Sequence, residues 1–313
     1  MKKRLLITGI AGFIGSHTAE MAILREWDVI GIDSLTDYYD VELKRRNLQN
    51  IQRTGEMKFY EAELLDCDLE SILTDVDVVL HCAAQPGVRD SWNHFDKYVA
   101  SNILATQRLL EACTKSKVQR LVYSSSSSVY GDLQEFPVLE ANHLNPVSPY
   151  GITKLAAEHL CSSYSANSDM SVVSLRYFTV YGPGQRPDMA IHRLISSAIH
   201  QTPFPLFGDG SFIRDFTFVT DVARANLAAL TNEIPAGTII NIAGGESTSM
   251  SELIQMVEKI TGKEVPLDRR PVQAGDVVRT GGDTTLARKY LNWTPEVSLQ
   301  DGLLRQFESL SKS

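Results

Sequence analysis

The chain has 313 residues, with 38 acidic side chains against 30 Lys and Arg, and a formal charge of −8. The length suits two domain-sized lobes or one large α/β unit, and 43% hydrophobic residues can bury a core. The acidic balance argues against a general nucleic-acid binder, no apolar run approaches the ~20 residues of a membrane span, and four cysteines without a CxxC pair offer no metal spacing.

Met1-Lys2-Lys3-Arg4 followed by Leu5-Leu6-Ile7 imitates a signal peptide, but the apolar run stops at Thr8-Gly9. That is too short for an h-region of ~7–15 residues. Cys67, Cys82, Cys113 and Cys161 therefore read as free buried thiols, and the chain as cytoplasmic. Arg4–Thr8 reads as a strand, 13–25 as an amphipathic helix and Asp28–Asp33 as a second strand. Strands at 57–62 and 76–82 follow, then a long helix over 95–113 with Ile103, Leu104, Leu109 and Leu110 on its apolar stripe. A strand at 119–124, a helix at 150–164 and a strand at 172–177 complete the rhythm. Val/Ile/Leu-rich strands alternating with helices predict a Rossmann-type doubly wound parallel sheet, covered on both faces. After Tyr177 the pattern loosens. Residues 182–187 read as loop, 201–210 are rich in Pro and Gly, and helices are expected at Met250–Thr261 and 299–310. We therefore expect a cofactor domain over 1–177 and a smaller mixed α/β substrate lobe over 178–313, some segments of which return to the first domain.

Gly9-Ile10-Ala11-Gly12-Phe13-Ile14-Gly15 follows the first strand and opens the first helix. The glycines permit a tight turn and close backbone approach, and the helix N-terminus offers N–H groups and a positive dipole to a pyrophosphate. Asp33 closes the second strand. A carboxylate there accepts from ribose hydroxyls and repels a 2′-phosphate, which favours NAD over NADP. His81-Cys82-Ala83-Ala84-Gln85 ends a strand with small residues on which a flat cofactor can lie, and His81 reads as a core histidine. The five serines 124–128 resemble a tether, yet they sit at a strand's C-terminal end, where open α/β sheets bind ligands.

Tyr150 and Lys154 stand four apart, hence on one face of a helix. A tyrosine of pKa ~10 is a poor base at neutral pH; an adjacent ammonium and a cationic nicotinamide both favour its phenolate. Ser126 can share the proton of a substrate hydroxyl.

Together these residues resemble the extended short-chain dehydrogenase/reductase superfamily, and the nucleotide-sugar epimerases within it, over nearly the whole chain. The likeness rests on the glycine turn, Asp33, His81–Gln85, 124–130, Tyr150 with Lys154, 176–190 and 208–216. It implies NAD contacts from Gly9, Gly12, Phe13, Ile14, Gly15, Asp33, Glu63, Leu64, Ala83, Ala84, Asn102, Ser124, Tyr150, Lys154 and Tyr177. Glu63 departs mildly from the family's usual Asp. Ser126, Tyr150 and Lys154 become the catalytic residues, and a homodimer through helices 95–113 and 150–164 is implied, with no metal.

The 4,6-dehydratases of this superfamily carry Asp-Glu after the serine, and the uronate decarboxylases usually a Glu two residues on. Here Ser127 and Ser128 stand there. The segment 176–190, with Thr179 where galactose epimerases mostly carry Asn, resembles that of UDP-glucuronate 4-epimerases. In that likeness Ser127, Ser128, Thr179 and Arg186 surround a C6 carboxylate, with Met189 beside them; an arginine fork and hydroxyls suit carboxylate oxygens. Because a 4-keto uronate loses CO2 when its C5–carboxylate bond aligns with the carbonyl, this cage is expected to hold the bond out of alignment. Arg214 in Gly208–Phe216 would meet a UDP diphosphate, Phe207 the uracil and Asp276 the ribose. Gln273 stands where many relatives carry Arg, with Arg279 as a substitute. A UDP-glucose or UDP-N-acetylglucosamine 4-epimerase, a UDP-glucuronate decarboxylase and an NAD-binding scaffold without chemistry remain the alternatives.

Overall fold

The computed structural model describes residues 2–272 and 277–312. Its strands, in chain order, are β1 (Arg4–Thr8), β2 (Asp28–Asp33), β3 (Met57–Glu61), β4 (Val78–His81), β5 (Arg120–Ser126), β6 (Ser171–Tyr177), β7 (Thr179–Tyr181), β8 (Phe204–Phe207), β9 (Ile213–Phe218), β10 (Ile239–Ile242), β11 (Ser247–Ser249) and β12 (Leu267–Arg270). The helices are α1 (Phe13–Leu24), α2 (Val41–Thr54), α3 (Leu69–Ile72), α4 (Phe95–Tyr98), α5 (Ala105–Lys115), α6 (Pro149–Asn167), α7 (Ala190–His200), α8 (Val219–Thr231), α9 (Met250–Thr261) and α10 (Leu299–Ser311).

Seven strands form one parallel sheet in the order β3-β2-β1-β4-β5-β6-β10. This is the doubly wound architecture expected from the sequence. Alternation along each strand sends side chains to opposite faces. Leu5, Ile7, Leu80 and Val122 join α1, α2 and α8 in one core. Leu6, Val79, Leu121 and Val172 join α3, α5 and α6 in the other. The order reverses between β1 and β4, and ligands bind at the strand ends beside such a reversal.

A second lobe is built on smaller sheets, β11-β9-β7 and β12-β8, against α7, α9 and α10. The Pro- and Gly-rich segment 201–210 contains β8. The late part of the chain also returns to the first core: β10 extends the large sheet, α8 packs on α1, and Trp293 is buried there.

The helix expected over 95–113 is interrupted. Residues Val99–Leu104 form a π turn between α4 and α5. Its wider winding changes the phase of the apolar stripe, so Asn102 is buried and Leu104 lies 51% exposed. Leu109 and Leu110 keep their expected burial. All four cysteines are free, with Cys113 and Cys161 buried. Among the described residues no helix is long and apolar enough to cross a membrane, and no cluster of three or more His, Cys, Asp or Glu is placed to hold a metal.

Trp293 donates its indole N–H to the Asp221 carbonyl at 2.8 Å, while Asp221 accepts from the backbone of Glu296 and Val297. Trp293→Ala therefore opens a cavity in the cofactor-side core, and we expect a loss of about 3–5 kcal/mol, read as a lowered urea midpoint.

Candidate active site

Two adjoining cavities open at the strand C-termini, and Tyr38 lines both. The smaller, about 220 Å³, runs along the glycine turn. Gly9 has φ +71°, and a Cβ there would stand 2.7 Å from Ala83 N, so the turn and the end of β4 approach as only glycine allows. Gly12 caps α1 with no side-chain hydrogen bond, which leaves the first N–H groups of α1 to the cleft. Asp33 accepts from Ala11 N at 3.0 Å and Leu35 N at 2.9 Å, tying the end of β2 to the glycine turn. Burial pushes its carboxyl up, against these bonds and the Lys44 ammonium. Phe13, Ile14, Gly15, Glu63, Leu64, Ala83, Ala84, Ser124, Tyr150, Lys154 and Tyr177 line the same cleft. An uncapped helix start, a glycine-only contact and a carboxylate at the end of β2 fit a dinucleotide.

Asn102 stands apart from this lining. It is fully buried, and its amide accepts from Gln85 N at 2.7 Å and donates to Gln85 O and Thr153 Oγ1. The π turn carries it inward, so it braces the cofactor wall against α6 instead of facing the cleft. The cleft floor is a directed chain. Tyr177 donates to Asn226 Oδ1 at 2.7 Å, so its oxygen accepts from Ser124, which in turn accepts from the Cys82 thiol. His81 is held between Thr8 and Thr106; Thr106 already donates to Asn102 O, so it accepts from His81 Nε2–H. Burial pushes His81 down to about 3, which makes it a neutral core histidine.

Tyr150 enters on the first turn of α6. Ser148 caps that helix by accepting from Gly151 N, and Pro149 supplies a preset φ. A Cβ on Gly151 would lie 2.6 Å from Ser128 O, so the helix start and the serine turn touch backbone to backbone. Burial pushes the Tyr150 phenol up; a hydrogen bond with Ser126 and the charge of Arg186 pull it down. The sequence assigned that electrostatic help to Lys154; Arg186 is the cation that opposes the burial here. Lys154 lies over the Tyr123 ring, and burial lowers its ammonium to about 8. Ser126 caps the serine turn, accepting from Ser128 N and donating to Ser128 Oγ, both at 3.1 Å.

The larger cavity, about 570 Å³, is lined by Ser127, Ser128 and Thr179 and by Phe207, Arg214, Arg89 and Arg193. The sequence did not single out Arg89 or Arg193. Burial, Arg89 and Arg270 all depress Arg193, the mark of clustered cations that suit a polyanion. Arg89 stacks on Phe207 at 4.1 Å. Asp215 accepts from the Gly244 and Gly245 N–H groups, and Asp221 pairs with Arg224. Arg186 lies across the Tyr38 wall, in the smaller cleft. Its Nε and Nη2 clamp Asp188 at 2.9 Å each. Met189 is not in the cavity lining; it turns the loop into α7, between Asp188 and Ala190, which do line it. Arg279 is exposed over the Phe136 ring at 4.7 Å, outside both cavities. Asp276 and Gln273 lie outside the described residues.

The profile of the NAD dependent epimerase/dehydratase family matches residues 5–243. The chain belongs to this family. It is 44% identical to an uncharacterised UDP-glucose epimerase of Bacillus subtilis over 98% of each chain. It is 39% identical to a UDP-glucuronate 4-epimerase of Thermodesulfobacterium geofontis, covering 96% of this chain and 94% of the other. A solved UDP-glucuronic acid 4-epimerase of Bacillus cereus, in complex with UDP-glucuronic acid and NAD, superposes with a TM-score of 0.95 at 43% identity over 99% of both chains.

In this epimerase-family chain, the residues that sequence alone missed carry no motif. Thr36, Tyr38 and Tyr39 enter the cleft from the irregular segment after Asp33, and Lys44 from the first turn of α2. The one signal for Arg89 and Arg193 is charge beside the aromatic Phe204–Phe207 in the fold. Two outcomes are expected at this site. Asp33→Ala weakens NAD binding by about 10–100-fold, the worth of charged hydrogen bonds, read by fluorescence titration. Gly151→Ala forces α6 away from Ser128 and lowers kcat more than it raises KM.

Proposed function

We propose that this chain is an NAD-dependent UDP-glucuronate 4-epimerase, interconverting UDP-glucuronate and UDP-galacturonate through a 4-keto sugar. One observation carries the reading: a single cavity joins the Ser127, Ser128 and Thr179 hydroxyls near Tyr150 to Arg89, Arg193, Arg214 and Phe207. Its hydroxyls suit a sugar carboxylate and its arginines a nucleoside diphosphate. The relatives named above, with UDP-glucuronate among their ligands, support it.

In this reading Tyr150, as phenolate, takes the proton of the sugar 4-hydroxyl, and Ser126 orients that hydroxyl. NAD, when bound, supplies the hydride acceptor at C4 and the donor that restores it. Gly9, the α1 N-terminus and Asp33 hold its pyrophosphate and ribose, and Lys154 faces the cofactor beside Tyr150. The keto sugar turns over between the two transfers while the arginines keep the diphosphate anchored. Tyr150 then returns the proton. Ser127, Ser128 and Thr179 grip the carboxylate, and Arg186, across the Tyr38 wall, supplies the positive charge beside it.

The serines in place of acids disfavour dehydration and decarboxylation. Among the described residues, the carboxylates that line the cavity, Asp90 and Asp188, are bonded to His94 and Arg186. A neutral UDP-hexose leaves the hydroxyl cage without its anion. We also infer a cytoplasmic homodimer through α4, α5 and α6, which leave Phe95, Leu104 and Ile152 in solvent.

Incubation with UDP-glucuronate, UDP-glucose and UDP-N-acetylglucosamine, followed by NMR, tests the reading. UDP-galacturonate is the expected product, without release of CO2; conversion of none, or decarboxylation, overturns it. Tyr150→Phe lowers kcat by about a thousandfold. In wild type, kcat rises as pH increases toward the Tyr150 phenol's ionisation, which burial moves above its ordinary value, and a pH–rate profile checks this. Arg186→Ala and Thr179→Val raise KM and yield more decarboxylated 4-keto pentose; if neither variant does either, the carboxylate cage is wrong.

A further inference from the structure

Beneath the serine turn lies an ion pair that the chemistry above does not use. Glu158 and Arg176 are 2% and 1% exposed, and they meet through Oε1 and Nη2 at 2.6 Å and Oε2 and Nε at 3.0 Å. Glu158 Oε2 also accepts from Ser125 Oγ at 2.7 Å. Ser125 and Arg176 are register partners on β5 and β6. One carboxylate from α6 thus bridges a cross-strand pair at the strand ends. Arg176 Nη1 donates onward to Tyr130, which donates to Asn241 on β10.

We infer that Glu158 is a positioning residue for the proton transfer: its carboxylate, oriented by Arg176, pins Ser125 and so sets the neighbouring Ser126 opposite Tyr150. Alternation along β5 puts the Ser125 hydroxyl on the α6 side, where it meets Glu158, and Ser124 and Ser126 on the other; Ser124 and Ser125 line the smaller cleft, and Ser126 stands at its rim on the serine turn. Tyr150, Lys154 and Glu158 follow at i, i+4 and i+8 on α6. The Gly151–Ser128 contact and the Asn102–Thr153 bond hold the start of that helix, and Ala157 and Cys161 pack in the core. The bond from Ser125 to Glu158, two turns on, is the polar tie that joins α6 directly to β5 beside the serine turn.

Stability alone does not account for such a pair. Burying two charges costs several kcal/mol per ion, and apolar residues of similar volume often replace a buried pair without loss. The device defines one geometry, and misplacement by ~1 Å can cost 10²-fold in rate.

The inference rests on the epimerase reading, and the test separates the two. Wild type, Glu158→Met with Arg176→Leu, Ser125→Ala and Ser125→Thr are assayed with UDP-glucuronate and UDP-glucose for kcat, KM, retained NAD and thermal unfolding. The folded double variant is expected to lose about tenfold or more in kcat, with KM and NAD content within about twofold of wild type. Ser125→Ala leaves the ion pair in place yet loses about three- to tenfold in kcat, and Ser125→Thr, which restores the hydroxyl, recovers to within about twofold. An active wild type whose folded variants turn over within about twofold of it overturns the positioning role alone. Equal losses in kcat and NAD content also overturn it, because they report general loosening. Should the double variant fail to fold, the Ser125 variants decide. A wild type inactive on both sugars overturns the functional reading and this inference with it.

Discussion

Everything at the active site depends on how α6 lies against the carboxyl ends of β5 and β6. Tyr150 and Lys154 come from the helix, Ser124 and Ser126 from the strand, and the two must meet within hydrogen-bond reach. The chain secures this with a steric contact and a polar one. Gly151 lets the helix backbone close on Ser128 O, and Glu158 spans Ser125 and Arg176. Both are unforgiving, since a Cβ cannot be compressed and a buried charge cannot go unpaired. The serine turn therefore has one position relative to the tyrosine.

A second brace works across the cleft. The π turn costs α4–α5 some helical regularity, but it brings the Asn102 amide to both Gln85 and Thr153. The wall of the dinucleotide cleft is thereby fixed to the helix that carries Tyr150. The Cys82-Ser124-Tyr177-Asn226 chain does the same for the floor, with every hydroxyl proton assigned a direction. Such saturated networks resist rearrangement, because each broken bond leaves a polar group without a partner. Rigid walls suit a reaction in which the substrate, and not the protein, has to turn over.

Charge tells a different story at two scales. The chain carries −8 in total, yet its larger cavity collects Arg89, Arg193 and Arg214 and is flanked by Arg270. Arg186 stands across the wall, neutralised by Asp188 and near enough to Tyr150 to favour its phenolate. Clustering, and the partial burial of Arg186, Arg193 and Arg214, makes these local fields outweigh a distant, screened surplus of carboxylates. Net charge speaks to polyanionic surfaces such as nucleic acid; it is silent about a small anion inside a cavity.

The doubly wound sheet was legible in the sequence because apolar period and glycine punctuation are local properties. Arg4–Thr8, the glycine turn, Asp33 and the Tyr150–Lys154 pair each carry their meaning within a few residues. The second lobe was not, because its short strands pair at long range: β8 with β12, and β9 with both β7 and β11. Nor could a linear pattern show that β10 and Trp293 return to the first core, or that the π turn buries Asn102 and exposes Leu104. The arginines were decided the same way. Arg279, the expected substitute for an Arg at position 273, lies over Phe136, while Arg89 and Arg193, from separate segments, share the cavity. Sequence determined which chemistry the chain carries, because those residue types sit in short motifs. Tertiary structure decided which side chains reach the ligand and which hold the others in place, because that depends on distances between segments far apart along the chain.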